Sequence, residues 1–127
     1  MKRILVVDDN RLERRIINHI LKEHFANEVI IDEAPEGLSA INLLSNTIYD
    51  LVITDLIMPK IEGLELIRKI KSEYPSLRVI AISGGKPFYL YLAKKMGIEG
   101  VFTKPIDRER FIFCVQETLN LTREKSA

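Results

Sequence analysis

The chain reads as an α/β protein: a five-stranded, doubly wound parallel sheet with helices on both faces. Three observations predict this. Short apolar runs recur along the 127 residues, at 4–7, 29–31, 51–53, 79–82 and 101–102. They favour β-branched residues and do not alternate with polar ones, as expected of strands buried on both faces. Segments of helical period separate them, and a strand–helix unit repeated five times with right-handed crossovers builds a sheet covered on both sides.

The elements follow in order. The first run ends in Asp8-Asp9, and Asn10 is placed to cap a helix striped by Leu12, Ile16 and Ile20, with Ile17 and Leu21 beside the stripe. After the second run, Pro35 suits the first turn of a helix carrying Leu38, Ile41 and Leu44. The third run ends in Thr54-Asp55; its helix presents Leu64, Ile67 and Ile70 and stops at Tyr74-Pro75-Ser76. The fourth ends in Ser83-Gly84-Gly85, after which Pro87 starts a helix with Tyr89, Leu92, Ala93 and Met96 that Gly97 terminates. The fifth ends in Thr103-Lys104-Pro105, and Asp107 caps a last helix with Phe111, Val115, Thr118 and Leu119 on one side.

Composition narrows the function. A length of 127 residues suits one domain with one shared core, expected over residues 1–121, with a polar tail at 122–127. Nineteen Lys and Arg against 18 Asp and Glu leave a net charge of +1, which removes the electrostatic case for bulk nucleic-acid or anionic-membrane binding. A single cysteine, Cys114, supplies neither a disulfide nor a cysteine metal cluster, so a reducing, cytoplasmic setting is expected. The four apolar residues after Lys2-Arg3 are too few for a signal peptide or a membrane span.

In an open α/β sheet, sites gather outside the carboxyl ends of the strands. Here those ends carry Asp8 and Asp9, Asp55, Ser83 and Lys104. Taken singly, Asp8, Asp9, Ser83 and Lys104 read first as turn residues, caps or surface charges, and Asp55 as readily a turn residue as a site residue. Independent turn residues have no reason to put acids at strands one and three, a hydroxyl at four and a lysine before proline at five. Three clustered carboxylates repel, which raises a pKa unless a cation relieves them. Oxygen ligation suits Mg²⁺ better than Zn²⁺, for which no His or Cys cluster exists. A carboxylate also serves as nucleophile in phosphoryl transfer, with a cation, an ammonium and a hydroxyl around the phosphoryl oxygens.

On these residues the sequence resembles the receiver domains of bacterial two-component response regulators. The resemblance rests on Ile4-Leu5-Val6-Val7-Asp8-Asp9-Asn10, on Asp50 through Pro59 with Gly63, on Ser83 and on Lys104-Pro105. It implies a flavodoxin-like sheet of strand order 2-1-3-4-5. It implies Asp55 as phosphoacceptor, Asp8, Asp9, Asp55 and the Ile57 backbone carbonyl as Mg²⁺ ligands, and Ser83 and Lys104 on the phosphoryl oxygens. Phe102 stands at the family's switch-aromatic position, and the Lys104-Pro105 peptide is expected to be cis. The implied partners are a histidine kinase or histidine phosphotransfer protein, and a downstream protein on the face of the fourth helix, fifth strand and fifth helix. Ile57 and Gly85 would flank the phosphosite.

Several features remain to be placed. Gly84 stands where alanine is usual, and Glu62-Gly63 replaces the frequent Asp-Gly. Phe88, Tyr89 and Tyr91 cannot all face inward from one short helix. Arg11, Arg14 and Arg15 offer either a docking face beside the acids or a solvated helix face. His19 and His24 are expected away from the rim, and Cys114 reads as a small core residue. Within the family, the alternative is a receiver from a longer regulator with an output domain. A flavin- or nucleotide-binding module would need a glycine loop after strand one, and a haloacid-dehalogenase-like phosphatase an Asp-x-Asp in place of the adjacent Asp8-Asp9.

Overall fold

The computed structural model describes residues 1–58 and 63–122. Pro59 and Glu62 of the motif and residues 123–127 of the tail lie outside them. Five strands, β1 (Lys2–Val7), β2 (Val29–Ala34), β3 (Leu51–Asp55), β4 (Arg78–Ser83) and β5 (Gly100–Thr103), form one parallel sheet of order β2-β1-β3-β4-β5. The helices are α1 (Arg11–Phe25), α2 (Gly37–Asn46), α3 (Gly63–Glu73), α4 (Pro87–Lys95) and α5 (Arg108–Leu119), with a short 3-10 turn after α1.

The alternation of side chains along each strand splits the core into two layers. Ile4 and Val6 of β1, with Leu51, Ile53, Ile80 and Ile82, face α1 and α5. Leu5 and Val7, with Val52, Val79 and Ala81, face α2, α3 and α4. Both faces are covered, so the strands read as continuous apolar runs.

Two helices sit rotated from the sequence expectation. In α1 the buried side chains are Ile17, Ile20, Leu21 and Phe25, while Leu12 and Ile16 are exposed. In α2 the buried ones are Gly37, Ala40 and Leu44, and Leu38 is exposed. The reason is shared: a helical period of 3.6 allows adjacent stripes, and the one chosen packs best on the sheet. Pro35 also falls outside α2, whose N-cap is Glu36 in a reciprocal bonding pattern with Ser39. Caps at Asn10 and Asp107 form as expected, each side chain accepting a backbone N–H of the first turn. Gly97, at φ 72°, takes the left-handed conformation that ends α4.

The rotation of α1 has a measurable consequence. Phe25 is fully buried between α1, α5 and the sheet, so Phe25→Ala will lower stability by about 3–5 kcal/mol. Leu12→Ala will change it by less than about 0.5 kcal/mol. Urea titration of both variants checks this, and the reverse order would contradict it.

Candidate functional site

The strand order places the site. β1 sits between β2 and β3, so chain crossovers leave it in opposite directions and open a crevice at its carboxyl end. Asp8 follows β1, Asp55 ends β3, Ser83 ends β4 and Lys104 follows β5. All four arrive at one rim. Asp8, Asp55 and Ser83 are buried and Asp9 is exposed.

Carboxylate oxygens of Asp8, Asp9 and Asp55 lie within 4.8 Å of one another. The Lys104 ammonium donates to Asp55 Oδ2 at 2.9 Å, to Asp8 Oδ2 at 3.1 Å and to Glu13 Oε2. Asp8 Oδ1 accepts the Asn10 N–H at 2.9 Å, and Asp55 Oδ1 the Ile57 N–H at 3.2 Å. Ser83 Oγ accepts the Gly85 N–H at 3.1 Å. The Lys104–Pro105 peptide is cis.

Burial pushes the Asp8 carboxyl above its ordinary value and the Asp55 charge adds to the rise, against the Asn10 N–H and the Lys104 ammonium. Burial opposes the charge on Lys104, but its bonds to Glu13, Asp55 and Asp8 outweigh this and hold its pKa well above normal. Oxygen donors that converge around a partly exposed gap suit a hard divalent cation. Among the described residues, Asp8, Asp9 and Asp55 are the side chains that could hold one.

Glycines make the rim possible. A Cβ on Gly63 would fall 2.1 Å from the Asp55 carbonyl oxygen and 2.6 Å from Leu56 Cα, and its N–H bonds Leu56 O at 3.0 Å. A Cβ on Gly85 would meet Ile57 Cδ1 at 2.3 Å, so these two residues face each other across the rim. Gly84 is roomy, with its nearest neighbour, Lys104 Cβ, at 3.4 Å.

Phe102 is half-buried, edge-on to Phe111 with ring centroids 5.7 Å apart. It lines a groove of about 790 Å³ with Tyr91, Val101, Phe113 and Cys114. Phe88 and Tyr91 are exposed and Tyr89 is half-buried, in line with the limit set by one short helix. Cys114 is half-buried against the core, and burial pushes its thiol pKa up. His19 pairs with Glu23 and His24 with the Ile20 carbonyl, both on α1 and outside the acidic cluster.

Two residues enter that the sequence did not mark for these roles. Glu13 joins the acids on Lys104. Arg14 turns inward, donating from Nη1 to the Asp8 carbonyl at 2.7 Å and from Nε to Glu33 at 3.1 Å. It therefore ties α1 and β2 to the acidic turn. Glu13 as a first-turn acid reads simply as a complement to the helix dipole; its partner lies 91 positions away.

Fold and rim together define a doubly wound α/β domain with an acid-and-lysine site at its switch point. The chain belongs to the response regulator receiver domain family, whose model matches residues 4–116. It is 30% identical over 119 residues to the chemotaxis protein CheY of Halobacterium salinarum, covering 93% of this chain and 97% of that one. It is 44% identical over 123 residues to a protein-glutamate methylesterase/protein-glutamine glutaminase of Trichodesmium erythraeum, covering 92% of this chain but only 35% of that protein. A receiver domain from Clostridium thermocellum superposes with a TM-score of 0.83 at 27% identity, covering 94% of this chain and 95% of that one. The chain is thus a receiver domain of two-component response regulators, with a CheY-like signalling fold. No helix among the described residues is long and apolar enough to cross a membrane.

Proposed function

We propose that the chain is a phosphorylation-dependent switch with Asp55 as phosphoacceptor. The observation that carries this is the Lys104 ammonium bridging Asp55 and Asp8 where three carboxylates converge. An Asp55 carboxylate oxygen attacks phosphorus as the P–N bond of a phosphohistidine breaks, its electron pair leaving on the imidazole nitrogen. A histidine kinase or phosphotransfer protein supplies that donor. Asp8, Asp9, Asp55 and the Ile57 carbonyl would hold Mg²⁺, which when bound neutralises phosphoryl charge. Lys104 orients the acceptor and then bonds a phosphoryl oxygen. Water attacking phosphorus ends the modification: the P–O bond to Asp55 breaks with its electron pair left on the carboxylate, and inorganic phosphate departs carrying the water oxygen while the water's proton passes to the phosphate or to solvent. The chain acts only on itself and is a switch, not a metabolic enzyme.

Output follows from the Ser83 hydroxyl moving to the phosphoryl group while the Phe102 ring turns into the space behind it, a shift between two existing conformations. The half-buried ring beside the groove of α4, β5 and α5 supports this face as the downstream partner site. We assign residues 1–121 to the receiver unit, since Leu121 still packs in the core, and 122–127 to a tail. A cytoplasmic setting fits this role. The 35% coverage of the methylesterase supports the second reading, a receiver within a longer regulator.

Beryllofluoride with Mg²⁺ mimics the phosphoryl group. It will shift the Ser83 and Phe102 resonances together in the wild type and neither in Asp55→Asn. A shift confined to Ser83, or one kept in Asp55→Asn, would contradict the proposal.

A further inference from the structure

The Lys104 ammonium has three N–H donors, and three different carboxylates accept from it: Asp8, Asp55 and Glu13. Asp8 and Asp55 belong to the triad whose oxygens converge within 4.8 Å; Glu13 does not. Its place is nonetheless fixed. Asn10 Oδ1 accepts the Glu13 N–H at 3.0 Å, which sets residue 13 in the first turn of α1 and brings its side chain over the rim. The Glu13 side chain is 37% exposed and that of Lys104 17%, so the pair is only partly screened by water.

We propose that Glu13 is a positioning residue that sets the balance between cation and phosphoryl binding at this site by holding part of the Lys104 charge. The inference rests on Asp55 as the phosphoacceptor and deepens that reading. A cation shared by Asp8, Asp9 and Asp55 draws Asp8 away from the lysine. A phosphoryl group on Asp55 takes over that residue's bond to the lysine. Glu13 has neither fate and stays on the ammonium in each state.

The consequence is a split in sign. A divalent cation is repelled by the lysine, and the Glu13 charge offsets that repulsion. A phosphoryl group is attracted by the lysine, and the Glu13 charge diminishes that attraction. Removing this one negative charge therefore weakens the cation and strengthens the phosphoryl group. A contribution to folding alone would move both in the same direction.

Glu13→Gln keeps the side-chain length and the helix position while removing the charge. Calorimetric titration with MgCl₂ alone will give a dissociation constant raised about threefold, the scale of a partly exposed ion pair. Beryllofluoride at saturating Mg²⁺ will bind about threefold more tightly. If both affinities fall together, or neither moves, while the wild type binds beryllofluoride normally, this inference alone is overturned. A wild type that does not bind beryllofluoride would overturn the phosphoacceptor reading and this inference with it.

Discussion

Asp9→Ala will bind Mg²⁺ at least about tenfold more weakly than the wild type and unfold at a urea concentration no lower than the wild type's, because one of three mutually repelling carboxylates is gone. Asp9 is exposed and, among the described residues, makes no hydrogen bond or ion pair, so truncating it removes no polar contact to them. What it removes is one of three converging carboxylates. Mg²⁺ sheds water reluctantly and binds through one or two carboxylates, so a lost anionic ligand is a large fraction of the site. Asp8→Ala is a poorer probe, because Asp8 also holds the Asn10 N–H and Lys104. Titration with MgCl₂ decides the matter; unchanged affinity in Asp9→Ala would remove the acidic pair from the metal site.

Gly63→Ala will destabilise the protein by about 3 kcal/mol or more, the upper end for overpacking, and impair modification of Asp55 beyond that loss. The added Cβ lands 2.1 Å from the carbonyl oxygen of Asp55 itself. That atom is backbone, so relief requires the end of β3 or the start of α3 to move, and either shift displaces the Asp55 carboxylate. Gly84→Ala is the matched control. Its Cβ meets nothing nearer than 3.4 Å, and its stability will stay within about 0.5 kcal/mol of wild type. Denaturant unfolding with phosphorylation rates at matched folded fraction tests the pair. A well-tolerated Gly63→Ala would show that the turn has more slack than its contacts indicate.

Much of this was legible in the residue order because buried parallel strands announce their own ends. An apolar run stops where the chain leaves the sheet, so Asp8, Asp55, Ser83 and Lys104 could be placed at the rim from the pattern alone. Helix rotation was not legible. Leu12 and Ile16 share a period with Ile20 as good as that of Ile17, Leu21 and Phe25, and only the sheet surface selects between them. Glu13 was hidden for another reason: a first-turn acid has a sufficient local explanation, and its ion-pair partner Lys104 lies 91 positions away. Arg14 likewise looked like one of three equivalent surface arginines until β2 brought Glu33 beside it.

The central claim is that Asp55 accepts a phosphoryl group at a site built from Asp8, Asp9, Ser83 and Lys104. Mass spectrometry after incubation with acetyl phosphate and Mg²⁺ tests it most directly, with borohydride reduction to mark the modified carboxyl. The account predicts one phosphoryl group on the wild type, mapped to Asp55, and none on Asp55→Asn. The same adduct on both proteins, or none on either with fold and bound Mg²⁺ confirmed, would contradict it.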